Sequence, residues 1–270
     1  MSRLSAVLDA TRASGQKAMG LFVTNGFPTP QDTPGILREL DRGGADFIEL
    51  GMPFSDPLAE GLPIQRSSAR ALAAGTTMKD AFETVVSFRA SSPTPVLLMG
   101  YINPILQYGV SRFCRDAQQS GIDGLIIPDL PPQEAAPLTE ACRKAGLDLV
   151  FLVAPNSSDE RVEFIDSLST GFVYAVSVTG LTGSGLDRRM ASIEEYLRRT
   201  RRLVRNNPLL VGFGIKTRQD AQRLCRHTDG FIVGSSLVRE IEHLWDETTL
   251  PSAQRLERIR QFAYSLKPDT

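Results

Sequence analysis

At 270 residues the chain has room for one large domain or two small ones, and with 41% hydrophobic and 23% charged residues it has the make-up of a globular protein with a sizeable core. A net charge of −1 gives no electrostatic reason for a nucleic-acid or anionic-membrane partner, and the one dense basic stretch, RRTRRLVRNN (198–207), reads as the solvated face of a helix. The three cysteines, Cys114, Cys142 and Cys225, are far apart and form no CxxC pair, which argues against a disulfide framework or a zinc site and suits a reducing cytoplasm.

In chain order, MSRLSAVLDATRASGQK lacks the long apolar core of a signal peptide, and no later run approaches the roughly 18 apolar residues of a membrane span. Residues 2–14 predict a helix ahead of the first strand. From there one pattern repeats: a short apolar run ends in Gly, Pro, Asn or Asp, and an amphipathic stretch comes after it. The strand candidates are 18–26, 47–54, 96–103, 124–131, 148–155, 171–178, 209–215 and 230–238. Their near-continuous apolarity fits parallel strands covered on both faces.

Helix signals fall between them. TPQDTPGILRELDRGG (29–44) closes on glycine, and PIQRSSARALAAG (63–75) predicts an additional helix after the second strand. PPQEAAPLTEACRKAG (131–146) runs from acidic to basic, as the helix dipole favours. SSDERVEFIDSLS (157–169) opens with capping residues, and TRQDAQRLCRHT (217–228) is a short amphipathic connection. Eight strands alternating with helices predict a single (β/α)8 barrel domain over 1–270, with a doubly wound open sheet as the alternative. In a barrel the chemistry belongs at the C-terminal ends of the strands.

Three glycine clusters sit at such ends: VTGLTGSG (178–185), GFGI (212–215) and GSS (234–236). Glycine lets backbone N–H groups approach an anion, and loops after the last strands of barrels often hold phosphate. GSSLVREIE (234–242) reads as a helix start beside them. Glu49 interrupts the apolar run of 47–54. It is either a buried acid that pairs or neutralises itself, or a general acid/base with a raised pKa. Asp56, in Ser-Asp-Pro, reads as turn chemistry, and Glu60 as a solvated loop acid. His227 and His243 lie in helix-like segments, and among the lysines only Lys216 falls near a strand end, so metal and Schiff-base chemistry find little support.

The motifs ELGMPFSDPLAEGLPIQ, LLMGYINPILQYG, GIDGLIIPDLPPQE, YAVSVTGLTG, VGFGI and GFIVGSSLV span most of the chain. In that order and spacing they resemble the tryptophan synthase alpha subunit family. The resemblance implies a (β/α)8 barrel that cleaves indole-3-glycerol phosphate to indole and glyceraldehyde 3-phosphate. It also implies a pyridoxal-phosphate beta subunit as partner in an alpha2-beta2 tetramer, and no cofactor in this chain. Glu49 would then be the proton donor, with Glu60 and Tyr174 completing the catalytic set. Gly183, Phe213, Gly214, Gly234 and Ser235 would hold the phosphate, and Phe22, Leu98, Ile126 and Ile232 would surround the indole. Thr182 would serve loop closure, and Pro53 and Asp56 would face the partner. The family's usual Asp, in LADGP, is Glu60 here, in LAEGL, which moves the carboxylate by roughly 1.5 Å, about one C–C bond. After TGLTG the family's AR is replaced by SGLDRR. These departures keep an alternative open, a catalytically weakened subunit that mainly activates its partner. An isomerase or decarboxylase on the same barrel is a third reading.

Overall fold

The computed structural model describes residues 2–57, 60–176, 186–212 and 214–268, with the side chains of 186–189 excepted. Eight parallel strands close in sequence order. They are β1 (Ala18–Thr24), β2 (Phe47–Gly51), β3 (Val96–Met99), β4 (Gly124–Ile126), β5 (Asp148–Val153), β6 (Val173–Val176), β7 (Leu209–Gly212) and β8 (Gly230–Val233). β1 pairs with both β2 and β8, which closes the barrel and sets the open-sheet alternative aside. The strands end sooner than the apolar runs suggest. Met52, Tyr101, Ile127 and Leu130 lie beyond strand ends yet are buried, because apolarity reports burial and not pairing.

Helices cover the outside: α1 (Arg3–Ala13), α2 (Thr33–Arg42), α3 (Leu62–Ala73), α4 (Met78–Arg89), α5 (Ile102–Tyr108), α6 (Val110–Gln119), α7 (Ala136–Ala145), α8 (Asp159–Leu168), α9 (Leu186–Leu203), α10 (Arg218–Leu224), α11 (Ser235–Asp246) and α12 (Ser252–Leu266). α1 and α3 are the two extra helices expected from the sequence; α4, α5, α6 and α12 had no separate expectation. Ser2 caps α1 by accepting from Ser5 N–H, Ser158 caps α8, and Thr217 with Asp220 forms a capping box at α10. No helix of the described residues is long and apolar enough to cross a membrane. Cys114 on α6 and Cys142 on α7, far apart in sequence, bring their sulfur atoms to 3.8 Å as buried free thiols.

Strand register decides which side chains point into the barrel. Phe22 pairs with Glu49 and Glu49 with Leu97, so these three share one face of the sheet. That face is the barrel interior: a Cβ placed on Gly20 would strike the Phe47 ring and Ile232, and one on Gly212 would strike the Tyr174 hydroxyl. At the N-terminal end, aspartates stand just before strands and accept an amide from the start of a strand earlier in the chain. Asp46 accepts from Met19 N–H, Asp123 from Val96 N–H and Asp229 from Leu209 N–H, each at 2.8 Å. Asp123 also takes Arg3 Nε at 2.6 Å and Arg89 Nη2 at 2.5 Å.

Candidate active site

A small cavity opens at the C-terminal ends of the strands, where a barrel places its chemistry. Glu49, Glu60 and Tyr174 line one part of it. β2 holds Glu49 inside the barrel with only 1% of its surface exposed. Its Oε1 is buried and has no hydrogen-bond partner among the described residues. Burial, reinforced by repulsion from Glu60, pushes the Glu49 carboxyl well above the ordinary carboxylate range. Burial thus favours the protonated acid, which can donate a proton.

Glu60 is not the solvated loop acid that its local sequence suggests. Its loop leads from β2 into α3, and Gln65 Nε2 ties it by donating to the Glu60 carbonyl at 2.9 Å. α3 is in turn docked on α11 by Arg66–Glu242 and Arg70–Asp246 ion pairs at 2.8 Å. Turned into the cavity, the Glu60 carboxyl is pushed by burial up to about 7. Burial raises both acids, and Glu49 alone sits fully inside the barrel, so the two carboxyls stand in different environments, the condition for giving them two roles. Tyr174 on β6 is 4% exposed, and burial holds its phenol well above the usual value, hence neutral. Gly212, on the neighbouring strand β7, leaves room for the Tyr174 ring, which any Cβ would obstruct.

Phe22, Ile64, Met99, Ile215 and Ile232 supply apolar walls. On β3 the structure corrects the expectation that Leu98 faces the indole. Leu98 pairs with Leu50 and Leu125 and so faces the helices, whereas Met99 pairs with Ile126 on the interior face. The inward residue of β3 at this level is Met99, one position along. A run as uniformly apolar as VLLMGYIN carries no mark of which alternate points in. Ile126 is buried on the inward face beside Met99.

The other part of the cavity is lined by Gly214, Gly234 and Ser235. Gly214 has φ 79°, a left-handed conformation that favours glycine. Ser235 opens α11, whose first turn has no side-chain cap and so offers free N–H groups toward the cavity mouth. A Cβ on Gly61 would lie 3.7 Å from Ser235 Oγ, so the loop that carries Glu60 runs beside this helix start. Lys216 and Arg239 also line the cavity, and neither stands out in the sequence as a phosphate ligand. Exposed cations on loops and helices are too common to carry such a mark. Pro53 and Asp56 sit on the outer part of the loop after β2, where Ser55 Oγ donates to Asp56 Oδ2 at 2.7 Å and Phe54 stacks on Tyr101 at 4.7 Å. Thr182, Gly183 and Phe213 lie outside the described residues.

The family model of the tryptophan synthase alpha chain matches residues 8–267. The chain is 44% identical over 269 residues to the tryptophan synthase alpha chain of Citrifermentans bemidjiense, covering 99% of this chain and 97% of that one. Tryptophan synthase subunit alpha from Legionella pneumophila superposes with a TM-score of 0.86 at 37% identity, covering 98% of this chain and 97% of that chain. A chain of the tryptophan synthase complex from Pyrococcus furiosus superposes with a TM-score of 0.82 at 38% identity, covering 93% and 98%.

Proposed function

The chain belongs to the tryptophan synthase alpha chain family, whose reaction is the cleavage of indole-3-glycerol phosphate to indole and glyceraldehyde 3-phosphate, and we propose how its cavity performs that lyase step. The indole lies among Phe22, Met99, Ile126 and Ile232, and the phosphate lies at Gly214, Gly234 and Ser235. Neutral Glu49 gives its proton to the ring carbon that carries the glycerol chain. The positive charge moves to the ring nitrogen, where ionised Glu60 stabilises it. Glu49, now a carboxylate, takes the proton of the adjacent glycerol hydroxyl. The C–C electron pair returns to the ring as the aldehyde forms. One proton enters and one leaves, so Glu49 ends as it began. Tyr174, neutral and buried beside both acids, orients the ring.

One observation carries this reading. A buried carboxyl with an unpartnered oxygen shares a cavity with a glycine-lined, uncapped helix start. The measurement is indole release from indole-3-glycerol phosphate, with and without a beta subunit. No release in either condition overturns it.

The family and its solved complexes support a beta-subunit partner. We propose an alpha2-beta2 assembly in the cytoplasm in which Pro53 and Asp56 face that partner. Pyridoxal phosphate then belongs to the beta subunit, and this chain works with its own side chains alone. One specific residue favours a second reading. Glu60 stands where the family usually has Asp, and a displacement of about 1 Å at a reacting centre can cost on the order of 10²-fold in rate. A weakened lyase that mainly activates beta predicts a large gain from Glu60→Asp. An unchanged rate removes that reading's support.

A further inference from the structure

We propose that Lys216 and Arg239 determine specificity for a phosphate dianion at the glycine-lined end of the cavity. The proposal deepens the reading of that end as the phosphate site and rests on it. A phosphate monoester carries about −1.5 to −2 charge near neutral pH. Backbone amides and a serine hydroxyl orient such a group but bring no full positive charge to it. The only full positive charges lining the cavity, among the described residues, are Lys216 and Arg239.

The fold holds both next to the helix start. Ser236 Oγ donates to the Ile215 carbonyl at 2.8 Å, which pins the segment bearing Lys216 against the first turn of α11. Arg239 lies four residues after Ser235 on the same helix, a spacing that puts the two on one face. Neither side chain has a hydrogen-bond or ion-pair partner among the described residues. Two cations at the opposite end of the barrel behave differently. In the open depression there, Lys17 donates to the Thr228 carbonyl at 2.7 Å, and Lys267 to the Gly44 carbonyl at 3.3 Å. Those two fasten backbone, whereas Lys216 and Arg239 are left for a ligand. Arginine supplies a fork for two phosphate oxygens and lysine a compact charge, so each adds a charge-assisted hydrogen bond.

The test uses the full chain and glycerol 3-phosphate, with binding measured by titration calorimetry. Lys216→Met and Arg239→Met each weaken binding by roughly 10-fold, in keeping with a hydrogen bond to a charged group. Lys216→Arg keeps affinity within about 2-fold, Arg239→Lys gives up the fork yet binds more tightly than Arg239→Met, and raising salt weakens the wild type more than either Met variant. With indole-3-glycerol phosphate, the Met variants raise KM by a similar factor while kcat stays near the wild-type value. The proposal is overturned if the Met variants bind glycerol 3-phosphate within about 2-fold of wild type, or if the conservative variants lose as much as the Met variants. A wild type that binds glycerol 3-phosphate but releases no indole defeats the lyase reading and leaves this one standing. A wild type that releases indole with a KM indifferent to both Met substitutions defeats this one alone.

Discussion

The two ends of this barrel bury the same kind of side chain and treat it in opposite ways. At the N-terminal end Asp46, Asp123 and Asp229 each accept a backbone N–H of a neighbouring strand, and Asp123 also holds two arginines. Asp166 accepts the N–H groups of Arg205, Asn206 and Asn207 in the same manner. At the C-terminal end Glu49 keeps a buried oxygen without a partner among the described residues, and Glu60 enters the cavity with its pKa raised by burial. A buried acid that is fully hydrogen-bonded ties elements together. One left unsatisfied destabilises the fold, and its raised pKa makes it useful for proton transfer. The contrast separates structural acids from catalytic ones by their partners, where residue type and burial cannot.

The largest expected effect tests the catalytic side. Glu49→Gln keeps the shape and removes the proton, so indole release falls on the order of 10²- to 10⁴-fold, the usual share of general acid/base catalysis. Glycerol 3-phosphate still binds, and the melting temperature does not fall. Retained turnover breaks the contrast from above. Asp123→Ala tests the structural side. It strips Arg89, whose side chain is 12% exposed, of its carboxylate and leaves it only backbone carbonyls, and breaking such a pair costs about 3–5 kcal/mol. The midpoint should drop by on the order of 10 °C, while the folded fraction keeps wild-type KM. A change in KM without loss of stability would break the contrast from below.

These assignments were not equally legible in the sequence. The barrel was, because strands buried on both faces write themselves as apolar runs and turn glycines punctuate them. Glu49 was visible because a charge inside such a run has few harmless explanations. The inward face of β3 was not, since Leu98 and Met99 are equally apolar and only the pairing with β2 and β4 decides between them. Glu60 read as a solvent acid because nothing local records that α3 docks on α11 and turns its loop inward. The aspartates at the other end escaped notice for a related reason. Each finds its partner in the preceding β/α unit, a distance that neither a turn motif nor a helical period spans.

A smaller effect comes from linkage at Glu60. Its pKa is 4.5 when unfolded and about 7 when folded, so the native state binds the proton more tightly. That advantage is whole below about 4.5 and is lost as pH rises through about 7. The wild type therefore loses up to about 3 kcal/mol relative to Glu60→Gln across that window, and the difference is flat above it. Urea midpoints at several pH values measure this. A difference independent of pH would mean that Glu60 is solvated after all and would erase half of the contrast.

The smallest effect concerns how the two acids speak to each other. Glu49 is raised first by burial and second by repulsion from Glu60, and Glu60 is raised by burial. The coupling should therefore be visible at Glu49 and small beside the burial effect. In Glu60→Gln the repulsion is gone and burial remains, so Glu49 titrates at a lower pH than in the wild type while still staying above an ordinary carboxylate. Infrared difference spectra across a pH titration report this through the carbonyl stretch of the protonated acid, with Glu49→Gln used to assign the band. In the wild type the band persists above neutral pH, and in Glu60→Gln its midpoint moves down. If the midpoint stays where it was, burial alone sets Glu49, and the carboxylate at position 60 is free to serve the ring nitrogen without affecting the proton donor. If the band is missing from the wild type near pH 7, Glu49 is ionised there, and its unpartnered oxygen would have to be explained by something other than a poised acid.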